Sequence, residues 1–496
     1  MKVKNHMNSF MNSLYNVSGA NIGRTENGAI AYKSTNSAVY DLFAQGGAYR
    51  QHSENDCIFL FKKALEENES LAMKCLFYLR DVRGGQGERR FFRVCYRWLA
   101  NKNHPAAIRN LEHLPEYGRW DDLIYCTVDT PLEEQANKII LNQLVLDTQC
   151  KTPSLLAKWM PSENASSAHT AYLANKLRKR IGISHKEYRK LLSHLRGKIN
   201  VLEKLMSANR WDEIEFDKIP SKAGLVYKNA FARRDIIAKK YEAFAKSDKT
   251  KVNAATLYPY EILEKVRYTH NNPTDIAMLN KYWENLPNYF GDKPASMMCV
   301  VDTSGSMTWG SNPTPLSVSI SLGMYCAERL NGPFKDHYIS FSRTPQLVKV
   351  EGVDFVDKAK RIIRHTINQN TDLNAVFRML KTAIKQNGVK AEDVPETLVI
   401  ITDGQIDCMT IERWDSNAAM TGMEIIRQEW AREGLKMPRL IYWNVNAKEA
   451  NIIDKGPNVS FVSGLSPTLF KTIMSGKNGY DLMLEAIDSE RYAVIA

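Results

Sequence analysis

The sequence predicts a multidomain chain: an all-α region of HEAT-like helical repeats, followed by a doubly wound α/β domain. Three observations carry this. From Asp56 onward apolar residues recur at three- and four-residue spacing, the period of amphipathic helices. Two stretches repeat each other without a gap at an offset of 91 residues. After Pro294 short apolar runs alternate with helical segments of crossover length, the pattern of a mostly parallel sheet.

Composition frames the reading. The chain has 496 residues, 44% of them hydrophobic and 25% charged, enough for two or three domains of a soluble protein. The first nineteen residues hold no apolar core run, so no signal peptide is expected. No stretch reaches the roughly 18–20 apolar residues of a membrane span. Cytoplasmic residence and no membrane partner are the expectation. The eight cysteines form no C-x-x-C and no zinc spacing with histidine, which predicts reduced, buried thiols. The net charge of +12 is concentrated: residues 151–270 carry 25 Lys+Arg against 12 Asp+Glu. That imbalance points to a polyanionic partner.

Residues 1–50 are polar and turn-rich and read as an irregular arm with one short helix near Ala38–Ala44. The helical region is expected over 51–293. Within it, Asp81-Val82-Arg83-Gly84-Gly85-Gln86-Gly87-Glu88 precedes the helix Arg89–Asn101. No strand leads into this glycine-rich turn and no G-K-[ST] closes it, so a helix–helix turn is expected rather than a nucleotide P-loop. Arg83, Arg89 and Arg90 leave a backbone-phosphate contact open. The self-match aligns Leu111-Glu112-His113-Leu114…Arg119-Trp120-Asp121-Asp122-Leu123 with Leu202-Glu203-Lys204-Leu205…Arg210-Trp211-Asp212-Glu213-Ile214. The paired acids read as a helix N-terminus that complements the macrodipole, with the tryptophan packed inward.

The basic helices lie between and after these copies. Tyr172–Arg180 carries Arg178, Lys179 and Arg180. His185–Lys198 carries Lys186, Arg189, Lys190, Arg196 and Lys198. Lys228–Lys240 carries Arg233, Arg234, Lys239 and Lys240. At 3.6 residues per turn, Lys186, Arg189 and Lys190 share one face and Leu191, Leu192 and Leu195 the other. Charge alone selects these twelve positions as RNA-binding candidates, with the interleaved Tyr188, Tyr227 and Tyr241 as rings that could stack on bases.

The α/β domain is expected over 294–496. Its strands are Met297–Asp302, His337–Phe341, Leu347–Val350, Thr397–Thr402, Leu440–Asn444 and Val459–Val462. Its helices are Pro315–Asn331, Val356–His365, Leu373–Gln386, Ala419–Glu433 and Tyr480–Asp488. Asp302 and Asp403 both end apolar strands, and ligands of such sheets sit beyond the carboxyl ends. Asp302, Ser304 and Ser306 offer three oxygens, a half-shell for a hard cation such as Mg²⁺. Asp372 and Asp407 are the spare carboxylates nearby. None of the ten histidines lies in these loops, so triad-type catalysis lacks its base and no enzyme is expected.

D-x-S-x-S at 302–306, Thr371 in N-T-D and Asp403 in I-I-T-D-G resemble a von Willebrand factor A domain with a metal-ion-dependent adhesion site. That resemblance implies Mg²⁺ or Mn²⁺ on Asp302, Ser304, Ser306, Thr371 and Asp403, with one position open for a partner's carboxylate. The whole chain resembles the Ro ribonucleoprotein family, whose helical module is shared with telomerase and vault proteins. R-D-V-R-G-G-Q-G-E-R-R at 80–90 is similar to that module's arginine–glycine element. P-E-Y-G-R-W-D-D-L, Y-R-K-L-L-S-H-L-R, E-K-L-M-S-A-N-R-W and L-Y-P-Y-E-I resemble more closely still an uncharacterised Ro-related family. The resemblance implies repeats closed into a ring that binds small structured, single-stranded or misfolded RNA. An alternative function is a protein-interaction module working through the metal site without RNA.

Overall fold

The computed structural model describes residues 21–25, 30–199, 202–269, 272–292, 294–309, 312–341, 344–366, 372–405, 422–447 and 452–496. A largely helical N-terminal part is followed by an α/β part built on a six-stranded mixed sheet.

The chain enters through a two-stranded antiparallel ribbon, β1 (Ile22–Arg24) and β2 (Ile30–Tyr32). Then α1 (Ala38–Gln45) begins at Ser37, whose side chain accepts from the Tyr40 amide. Next come α2 (Glu54–Glu67), with a Ser53/Asp56 capping box, and α3 (Glu69–Arg80), capped by Asn68. Helix α4 (Arg90–Asn101) follows the glycine-rich loop. The longer helices after it are α5 (Trp120–Thr127), α6 (Glu133–Gln149), α7 (Ala168–Ile181), α8 (His185–Lys198), α9 (Ser221–Arg233), α10 (Asp235–Lys246), α11 (Pro259–Val266) and α12 (Pro273–Glu284).

The glycine-rich loop is a helix–helix turn that consumes its own amides. Gln86 N–H donates to Tyr78 O at 3.1 Å, Gly87 to Asp81 O at 3.0 Å and Glu88 to Leu79 O at 2.7 Å. A Cβ on Gly85 would lie 1.9 Å from Tyr78 O, so only glycine fits there. With those donors spent, the loop has few amides left for a phosphate.

The sheet runs β5 (Gln346–Lys349), β4 (His337–Phe341), β3 (Met297–Asp302), β6 (Thr397–Thr402), β7 (Arg439–Asn444), β8 (Val459–Ser463). β4 through β8 by way of β3 are parallel, and β5 pairs antiparallel with β4. Every residue of β3, β6 and β8 is buried, as in a parallel sheet covered on both faces. Helix α13 (Pro315–Arg329) packs on β3, β4 and β6 and is itself covered by α11. Its residues 315–327 are all buried, and a Cβ on Gly323 would meet Val301 Cγ2 at 2.5 Å. Two serines of this helix donate to its own carbonyls, Ser319 to Leu316 O and Ser321 to Val318 O, and Ser319 reaches Asp302 O on β3 as well, at 3.1 Å. Helices α14 (Phe355–His365), α15 (Leu373–Gln386), α16 (Gly422–Arg432) and α17 (Gly479–Ile487) complete the part.

Residues 38–49, expected to belong to a polar arm, are almost wholly buried because they close the sheet's β8 edge. The Tyr40 hydroxyl accepts from the Phe461 amide at 2.7 Å, and the Ser463 hydroxyl donates to Phe43 O at 2.9 Å. A second tie joins α3 to the C-terminal turn. The Asp81 carboxylate, fully buried, accepts from Arg491 Nη2 at 2.8 Å and the Tyr492 hydroxyl at 2.9 Å.

The two self-similar segments fold differently. In the first, Trp120 opens α5 half-buried, and Asp122 is fully buried at its N-terminus. Asp122 accepts from Arg80 at 2.6 Å and from Arg93 Nε at 2.6 Å, an ion-pair cluster rather than a macrodipole ornament alone. In the second, Trp211 is buried in a single 3₁₀ turn and the acids face solvent. The pairing partner decides the difference, since the arginines opposite Asp122 lie on α3 and α4, outside the repeated stretch.

Removing the Asp122 carboxylate strands a buried guanidinium. Asp122→Ala is therefore expected to cost about 3–5 kcal/mol in a denaturant titration. Its repeat counterpart Glu213, exposed in an i,i+3 pair, should leave the midpoint unchanged on the same substitution.

Candidate metal centre and basic face

Parallel pairing of β3 with β6, Val301 opposite Ile401, brings the two strand-end aspartates to one edge. Asp302 and Asp403 are 0% and 1% exposed. Asp302 Oδ1 accepts from the Ser304 amide at 2.9 Å, and its Oδ2 accepts from the Thr402 hydroxyl at 2.7 Å. Ser304 and Ser306 hold their hydroxyl oxygens 3.1 Å apart. Asp403 Oδ1 accepts from the Gln405 amide at 3.1 Å. Four of the five candidate ligands thus lie together at one strand edge; Thr371 lies outside the described residues, as does the spare carboxylate Asp407.

Burial, followed by repulsion from Asp403, pushes the Asp302 carboxyl up to about 7. Two desolvated carboxylates held together are costly without a counter-charge, and a bound cation removes the cost. All the donors are oxygens, and two are hydroxyls, which suits Mg²⁺ or Mn²⁺ over softer metals. No cluster of three His, Cys, Asp or Glu occurs among the described residues, so such a site would rest on two carboxylates and hydroxyls.

Sequence reasoning passed over Thr402. It orients Asp302 and also accepts from the Gly404 amide at 3.1 Å. The signal was present, since Thr402 directly precedes Asp403 and aligns with Asp302 across the parallel pair. Asp372 is spent as the cap of α15, accepting from the Ala375 amide at 2.9 Å and from Arg378 at 3.0 Å.

The twelve basic candidates divide by environment. Lys179, Arg180, Lys186, Arg189, Lys190, Arg233, Arg234, Lys239 and Lys240 are exposed. Arg234 also lies over the Trp211 ring, 4.8 Å from its centroid, and Lys240 donates to Ile214 O at 2.8 Å. The other three do internal work. Arg178 pairs with Glu163 at 3.0 Å, and Lys198 donates to Thr148 O at 2.8 Å. Arg196 donates to Ala157 O, Met160 O and the Ser162 hydroxyl at 2.8–3.0 Å, bracing the 157–162 segment. Of the tyrosines selected for base stacking, Tyr188 and Tyr241 are buried core residues, the first donating to Pro161 O at 2.8 Å. Only Tyr227 keeps partial exposure. Tyrosine alternating with leucine at helical spacing here marks the packed face, which corrects the stacking assignment.

Seven described cysteines are free thiols and six of them are buried; Cys408 lies outside the described residues. No helix among the described residues is long and apolar enough to cross a membrane.

Two family models match the chain, each described as a domain of unknown function. DUF2828 matches residues 25–128 and 156–288, and DUF7788 matches residues 296–492. An uncharacterised protein of Acanthamoeba polyphaga mimivirus is similar at 28% identity over 519 residues, covering 95% of this chain and 88% of that protein. The likeness therefore spans both the helical and the α/β part.

Proposed function

We propose that the chain is an RNA-binding scaffold protein of Ro type. In this reading the N-terminal helices are HEAT-like repeats that close into a ring. Their basic surface binds small structured, single-stranded or misfolded RNA, in the cytoplasm and without a membrane. The observation that carries the reading is the run of exposed cations on α7–α10, Lys179 to Lys240, on helices docked by buried residues such as Leu177, Leu192, Leu225 and Ile237. Apart from Arg234 over Trp211 and Lys240 on the Ile214 carbonyl, those cations serve no core and suit a phosphate backbone. The C-terminal part is read as a von Willebrand factor A domain. Asp302, Ser304, Ser306, Thr371 and Asp403 would hold its Mg²⁺ or Mn²⁺, and the cation would offset the two buried carboxylates and leave a position for an acidic group. Catalysis is not part of this reading.

A second reading, a protein partner recruited at the metal edge, is favoured by Trp309. It is 76% exposed three residues beyond Ser306, an apolar contact beside a site that suits a carboxylate.

Filter binding at two salt concentrations tests the first reading. Single-stranded RNA should bind, and its affinity should fall steeply with salt. Arg189→Glu with Lys190→Glu, or Arg233→Glu with Arg234→Glu, should each flatten the log–log salt slope by about 0.7 for every phosphate no longer neutralised. Salt-independent binding, or none, rejects it.

Calorimetry with Mg²⁺ and Mn²⁺ tests the metal site. Wild type should bind and Asp302→Ala should not. A proton and the cation compete for Asp302, whose protonated form persists well above the usual carboxylate range. Binding should therefore be tighter at about pH 8 than at about pH 6. An affinity indifferent to both pH and the substitution removes the site.

A further inference from the structure

Two cavities adjoin along α8. One, of about 560 Å³, is lined by Trp159, Glu163, Arg189, Arg196 and Glu203 among others. The second, of about 510 Å³, is lined by Lys190, Ser193, His194, Gly197, Lys198 and Lys204. Ser193 and Lys204 line both, so the two share a wall and open to solvent side by side. Each volume falls in the range of small-molecule sites.

The two halves differ in chemistry. The second half has three lysines, a hydroxyl and an imidazole, and no carboxylate. Lys198 is tied to the Thr148 and Cys150 carbonyls, while Lys190 and Lys204 stay exposed. Gly197 makes room for one of them, because a Cβ there would stand 2.4 Å from Lys204 Nζ. A dianionic group belongs in this half. The first half has both acids, Glu163 and Glu203, the rings of Trp159 and Tyr188, and cations of its own in Lys158, Arg189 and Arg196. Trp159 is half-buried and carries the Arg119 guanidinium 3.9 Å from its ring centroid, and indole and guanidinium planes both stack on nucleobases. Glu163 Oε1 is taken by Arg178 and His185, but its buried Oε2 has no hydrogen-bond partner among the described residues. That oxygen is an acceptor for an N–H-bearing ligand, and it would repel a phosphate. Cations line both halves, while the aromatic rings and the carboxylates line the first alone.

We propose that this cleft is a nucleotide site, taking the phosphate of a nucleoside 5′-monophosphate between Lys190 and Lys204 and its base beside Trp159. The nucleotide is free in solution or the 5′-terminal one of an RNA. The proposal rests on the reading of the basic helices as a nucleic-acid surface and gives that surface one discrete pocket.

Calorimetry on the full chain, with AMP and adenosine as probes, tests it. Single-stranded RNA with a 5′-phosphate or a 5′-hydroxyl separates the two sources. AMP should bind, and adenosine should bind about tenfold more weakly or worse. Lys190→Ala and Lys204→Ala should each weaken AMP about tenfold with an unchanged melting curve, since both side chains are exposed. Arg233→Glu with Arg234→Glu should leave AMP affinity alone. A preference for 5′-phosphorylated RNA, lost in the lysine variants, identifies the RNA end as the source. AMP binding without any RNA binding keeps the pocket and rejects the RNA reading. RNA bound equally with either 5′ end, with no AMP binding, rejects the pocket and keeps the basic face. Equal affinity for AMP and adenosine, or lysine variants that bind AMP as wild type does, also overturns the proposal.

Discussion

The parallel strands of this sheet must be covered on both faces, and that constraint organises the chain. Strands β3 and β6 are buried end to end, so α13 must cover them, and α13 is in turn too apolar to face solvent. Helix α11, from the N-terminal part, supplies its cover. At the other side β8 would present an unpaired row of amides and carbonyls. Helix α1 meets it with the Tyr40 hydroxyl and the Phe43 carbonyl. The helical part is thus a structural component of the α/β part, and the two share one continuous set of buried apolar residues.

The same sheet explains the site at its carboxyl edge. Parallel strands in register deliver their last residues to one line, and here that line holds Asp302, Thr402 and Asp403. Two buried carboxylates in that position are electrostatically unfavourable by themselves. The fold offsets part of this cost by satisfying individual oxygens with amides and the Thr402 hydroxyl, and in the proposed reading a cation offsets the rest.

Much of this was legible in the residues. His337–Phe341, Thr397–Thr402 and Leu373–Gln386 were readable to the residue, because their period and their terminators agree. Asp302 and Asp403 were legible because a buried apolar strand that stops in a carboxylate must deliver that charge to the sheet's edge. Information that lies in partners from distant chain was not legible. Nothing near Asp122 announces Arg80 and Arg93, and nothing in a polar, turn-rich beginning announces that residues 38–49 seal a sheet edge. Charge was misleading in a specific way. Arg196 and Lys198 count toward the basic excess, yet they spend their donors on backbone carbonyls. Tyr188 reads as a stacking platform beside lysines, although helical spacing equally predicts the core position it occupies.

The contact between Tyr40 and Phe461 joins residues 421 positions apart. It has a kinetic corollary. An early helix whose native cover is a late strand cannot finish burying itself while the chain between them is still being made. Helices α2 and α3 cover part of its apolar side early, Phe43 stacking on Tyr78, and the part that meets β8 is covered last. Docking of the N-terminal helices onto the completed sheet accordingly closes a loop spanning most of the polypeptide.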